Sequence, residues 1–165
     1  MTPFATTVSQ KIDVYKIAAQ MADNGLSKEF IADAVDLALC YEGAHDLLVL
    51  WSQEEDQAQR EEIVADLQDE IDDHKESPKT PVKKPYVKFD DLDAIAKDVM
   101  KYKNALRKIV DKWGGINKLS KATGIPQPSL SRFFSSASMP RRTTLYRIAD
   151  ALKLSEDQII TEWVA

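Results

Sequence analysis

One cysteine, two histidines and five glycines in 165 residues leave little from which to build a catalytic or metal-binding centre. Cys40 has no partner for an internal disulfide, and between Leu39 and Tyr41 it reads as a small buried hydrophobe. His45 and His74 have neither a cysteine nor a second histidine at ligand spacing, so they read as surface or hydrogen-bonded side chains and no metal is expected. The glycines form no phosphate-cradling loop, and Glu61/Glu62 and Asp72/Asp73 are chain neighbours rather than a converging pair. The expectation is a protein that is not an enzyme and holds no cofactor. No apolar run approaches 18 residues, and the opening MTPFATTVSQKID lacks the basic start and apolar core of a signal peptide, so a cytoplasmic, membrane-free location is the default. Trp51, Trp113 and Trp163 are too far apart for an array that stacks single-stranded bases and read as core or interface residues.

What the chain does have is charge, unevenly placed. The overall net of -5 conceals two halves: residues 1–82 hold 18 acids and 6 bases, residues 83–165 hold 9 and 16, and 98–153 hold 3 and 12. One half repels a polyanion and the other attracts it. The break predicts two small domains, an acidic helical one at 1–75 and a basic helical one at 90–165, around a linker at 76–89. The linker, HKESPKTPVKKPYVK from His74, has three prolines and no apolar period. Its Lys83, Lys84 and Lys88 are either phosphate contacts or solubilising charges.

In the first half, Val8 to Asp23 reads as a helix with Ile12, Tyr15, Ala18, Ala19 and Ala22 at intervals of three and four, released by Asn24-Gly25. Ser27 caps a second helix through Phe30, Ile31, Ala34, Val35, Ala38 and Tyr41, ended by Gly43. A third runs from Asp46 or Ser52 to Asp73, with Gln57, Arg60, Val64, Leu67 and Ile71 as either a packed face or a seam between two chains. Phe30, Val35, Val64, Leu67 and Ile71 are the surface expected to hold a homodimer. The acidic face is either solvated or a seat for a basic protein partner on residues 1–75.

In the second half, Asp90 or Asp91 caps a long helix with Leu92, Ile95, Ala96, Val99, Tyr102, Leu106, Ile109, Val110 and Trp113 inward, terminated by Gly114-Gly115. A short helix at about Asn117 to Ala122 turns Leu119 and Ala122 inward. Thr123-Gly124 makes a sharp turn, and another helix starts at Gln127 with Leu130 and Phe133 or Phe134 inward. Pro128 costs nothing there, because first-turn N–H groups have no intrahelical partner. Gln127, Ser129, Ser131 and Arg132 are left for the exposed side, where short polar groups let a backbone approach DNA and Gln or Arg can bond base edges. After the loop SSASMP, Arg141, Arg142 and Thr143 stand at the start of a helix carrying Leu145, Ile148, Ala149 and Leu152. Guanidinium groups beside a helix N-terminus suit a phosphate. Ser155 and Gln158 cap a last helix that closes the core with Ile159, Ile160 and Trp163.

GINKLSKATGIPQPSLSRFF resembles the lambda-repressor-like helix-turn-helix family of phage, plasmid and bacterial regulators, and SSASMPRRTTLYRIADALKL is similar to its antitoxin-containing branch. The resemblance implies an all-α, five-helix DNA-binding domain over about 90–165, with a turn glycine at Gly124, an inward aliphatic at Leu130 and base-reading positions at Gln127, Pro128, Ser129 and Arg132. Two positions depart from the pattern: Ile116 stands where a phosphate-binding Gln is frequent, and Pro126 where Ser or Thr caps the recognition helix. The resemblance then hands the phosphate clamp to Asn117, Lys118 or Lys121, with Ser131, Arg141, Arg142 and Thr143 completing it. The resulting expectation is a sequence-specific regulator of double-stranded DNA, a repressor acting as a homodimer. The alternative is an antitoxin-like module whose acidic half binds a protein.

Overall fold

The computed structural model of the protein describes residues 4–76 and 92–154. Among these residues the chain is all-helical, with α1 Val8–Asp23, α2 Lys28–Ala38, α3 Glu42–Gln53, α4 Gln57–Glu76, α5 Leu92–Trp113, α6 Gly115–Thr123, α7 Gln127–Ser135 and α8 Arg142–Leu152. It divides into two compact units, Met1–Pro81 with Gly124–Ser129, and Val82–Thr123 with Leu130–Ala165. The proline-containing linker beyond Glu76, the caps at Asp90 or Asp91 and the last helix from Ser155 lie outside the described residues.

Thr7 opens α1 with a reciprocal cap: its Oγ1 accepts from the Gln10 amide at 3.1 Å and Gln10 Oε1 accepts from the Thr7 amide at 2.8 Å. Asn24 and Gly25, the latter at φ +83°, release the chain as expected. The inward face is Val14, Ile17 and Met21, not the Ile12, Tyr15 and Ala19 line, which stays on the surface. Both lines have helical spacing, and only packing distinguishes them. Ser27 caps α2 through the Phe30 amide at 3.2 Å. That helix ends at Ala38, earlier than Gly43, so Cys40 falls in the turn beyond it and is exposed rather than buried, its Sγ 3.4 Å from the Leu37 carbonyl. Gly43 sits inside the first turn of α3, where the Tyr41 ring lies within 3 Å of the place a Cβ would take, so a larger residue there would push the exposed ring aside.

The single helix expected from Asp46 or Ser52 to Asp73 is two. Asp56 Oδ1 accepts from the Ala58 amide at 2.8 Å and starts α4, while Arg60 donates to the Glu54 carbonyl at 2.6 Å and stacks over Trp51. α2, α3 and α4 pack pairwise and α1 packs on α2 and α3. Their shared core holds Phe30, Ala34, Leu37, Leu48, Trp51, Val64, Leu67 and Ile71. Phe30, Val64, Leu67 and Ile71 are therefore consumed within the unit and cannot be a surface for a second chain, and Val35 is packed partly against them. Lys75 ties α4 to α2 through Asp33 at 2.7 Å.

In the second unit α6 packs on both α5 and α8. Val99, Lys103, Leu106 and Val110 line the buried face of α5 at intervals of four, three and four, which leaves Ile109 outside that face and 43% exposed. Ile116, Leu119 and Thr123 do the same for α6, so Ala122 is exposed, and Leu145, Ile148 and Ala149 for α8.

Candidate nucleic-acid interface

Two short helices and a tight turn set the geometry. α6 closes with the Thr123 hydroxyl donating back to the Leu119 carbonyl at 2.8 Å, and Gly124 at φ +76° takes the chain out of the helix in a conformation that costs a side-chain-bearing residue. Arg147 reaches from α8 to donate to the Thr123 carbonyl at 2.5 Å, so a guanidinium satisfies the end of α6 where the turn starts. Ile125 is buried, and α7 begins at Gln127. Leu130, fully buried, and Phe134 face inward one turn apart.

That inward pair fixes what the rest of α7 shows. Gln127 and Ser131 are exposed and Pro128 and Arg132 are half-buried. Ser129 is half-buried as well, but its Oγ is fully covered and has no hydrogen-bond partner. Of the expected base-reading residues, Gln127 is therefore the one in the exposed class, and Ser129 is the one whose hydroxyl is covered. On α6, Asn117, Lys118 and Lys121 are exposed. Lys118 is already engaged, donating to the Trp113 carbonyl at 3.1 Å with its ammonium 4.3 Å from the centre of the Trp113 ring. At α8, Arg141 occupies the N-cap position without a side-chain cap bond, and Arg142 and Thr143 are exposed in the first turn.

The far end of α7 is held by a residue the charge count gave no reason to single out. Lys103 is buried in α5, donates to the Ser136 carbonyl at 2.7 Å and lies 4.7 Å from the centre of the Phe133 ring. Arg107, one turn on, stacks at 5.6 Å over Phe134, whose ring meets Phe133 edge to face. Burial lowers the Lys103 pKa from 10.5 to about 8, and burial of Tyr102 raises its phenol above 10.0. A lysine at position 103 fits the four-three-four spacing of apolar residues on α5, and that was the available signal. A second group also escaped notice: Lys97, Lys101, Asn104 and Lys108 line an open groove that reaches Ala137, in the loop that follows α7. Their spacing of four, three and four puts three ammonium groups on one side of α5.

A pair of short helices about a left-handed glycine, with an exposed polar start to the second and a third helix bracing the turn, defines a helix-turn-helix domain. The comparison with known families agrees: residues 112–159 match the family described as Helix-turn-helix, which supports a DNA-binding regulatory protein of the lambda-repressor-like type. Neither a curated protein nor a solved structure matches the chain. Among the described residues no group of three His, Cys, Asp or Glu side chains could hold a metal, and no helix is long and apolar enough to cross a membrane.

Proposed function

We propose that the protein is a sequence-specific regulator that binds double-stranded DNA in the cytoplasm as a homodimer and represses transcription. The second half inserts α7 into the major groove. The observation that carries this reading is the α6–Gly124–α7 turn, which presents Gln127 at an exposed helix start within a segment that has 12 bases and 3 acids between Asp98 and Lys153. Gln127, Pro128, Ser129 and Arg132 read bases. Asn117, Lys121, Ser131, Arg141, Arg142 and Thr143 hold phosphates, joined by Lys118 once it leaves Trp113. Residues 1–75 act as an assembly domain, since their acid excess repels DNA. A repressor reading follows from occupancy: a dimer bound across a promoter excludes other proteins from it.

Two variants test the sorting of contacts. Arg142→Ala weakens binding to specific and random duplexes alike and reduces the salt slope by about 1. Gln127→Ala erodes discrimination by about 1–3 kcal/mol at one base position. An exchange of these outcomes refutes the assignment.

A further inference from the structure

The outward face of α1 carries an apolar seam that is exposed among the described residues. Val8, Ile12 and Tyr15 are 75%, 51% and 59% exposed, and Ala19 and Ala22 continue the line on the surface. Their intervals of four, three, four and three are those of a coiled-coil seam. The inward residues Val14, Ile17 and Met21 lie about 150° away around the helix, taking 3.6 residues per turn. α1 is thus apolar on two nearly opposite faces while α2 and α3 cover one of them, and a helix apolar on both sides is one that is covered on both.

We infer that the seam is a self-association surface, on which a second copy of the chain docks its own α1 in antiparallel orientation. This rests on the homodimer proposed above and gives it an interface. The sequence of the seam favours antiparallel order in two ways. Its bulky residues, Val8, Ile12 and Tyr15, stand in the first half of the helix and its small ones, Ala19 and Ala22, in the second, so reversal sets large against small and fills the gap that facing alanines leave. Lys16 and Asp23 lie on the same flank of the seam, and like flanks meet in an antiparallel pair, which brings each Lys16 towards the partner's Asp23. The helix has 16 residues, about 24 Å. A single pair of that length buries less than the ~1,200 Å² typical of stable complexes, so the dimer is reversible in solution and is tightened by a duplex with two half-sites.

Sedimentation velocity on the full chain between about 1 and 100 μM tests this, since a weak dimer dissociates on dilution. The wild type is expected to exchange between monomer and dimer. Ile12→Glu and Tyr15→Glu, at exposed positions with an unchanged helical spectrum, weaken the dimer by at least tenfold, on the order of 1.4 kcal/mol. Lys16→Glu weakens it, and Lys16→Glu with Asp23→Lys restores it. A wild-type dimer that Ile12→Glu leaves intact overturns the seam while the homodimer stands. A charge exchange that fails to restore association overturns the antiparallel order. A chain that stays monomeric at about 100 μM, both free and on a two-half-site duplex, overturns seam and homodimer together.

Discussion

Replacing Lys103 with methionine keeps an unbranched side chain, one atom shorter, while removing the amine and with it the ammonium's contact with the Phe133 ring. Burial lowers the folded-state pKa from 10.5 to about 8, so the unfolded chain binds the proton more tightly. Stability therefore rises with pH wherever the unfolded state holds the proton and the folded state has lost it, between about 8 and 10.5. Below that window the buried charge imposes its full cost, and above it none. At ~1.36 kcal/mol per pH unit the gap amounts to about 3 kcal/mol, which solvent screening reduces to about 1–2 kcal/mol. The quantity to follow is the stability of the wild type minus that of Lys103→Met, from urea unfolding between pH 7.5 and about 10. A Trp51→Phe background leaves Trp113 and Trp163 as reporters of the second half. Tyr102 is common to both proteins, so its own titration cancels. The difference should shift in favour of the wild type as pH rises; a difference that stays flat, or moves the other way, refutes the account of Lys103.

Two further substitutions address the turn. Gly124→Ala places a side chain at φ +76° and should cost about 1 kcal/mol or more, seen as a lower thermal midpoint. Arg147→Met removes the donor at the Thr123 carbonyl and should cost about 1–3 kcal/mol in urea unfolding, with α6 the first segment to lose hydrogen-exchange protection.

The second half of the fold was legible because its signals are local. Gly114, Gly124 and the polar start at Gln127 each mark a helix end through backbone sterics or unpaired N–H groups, and the observed helices begin and end within about two residues of them. The first half was harder to read. α1 repeats at helical spacing on two faces, so periodicity alone selected the outer one, and only α2 and α3 show that Val14, Ile17 and Met21 are the core. The break between α3 and α4 lay in Glu54-Glu55-Asp56, where charge density concealed the cap at Asp56. Lys103 entered the sequence reading only as one of the 12 bases of residues 98–153; its burial follows from register on α5, which outweighs the hydrophilic character of the residue because Ser136 supplies an acceptor. For the candidate contact residues, helix phase was readable and depth was not: Gln127 and Ser129 look equivalent in the sequence, but the Ser129 hydroxyl is fully covered.

DNA binding itself is tested most directly by titrating the full chain against a library of duplex fragments while salt is raised from about 50 to 200 mM. The account predicts measurable affinity for every duplex at the lowest salt, a linear fall of log K with log salt, and one fragment that retains tighter binding than the rest at the highest salt. A folded chain with no affinity for any duplex at about 50 mM salt contradicts it, since backbone attraction is then at its strongest.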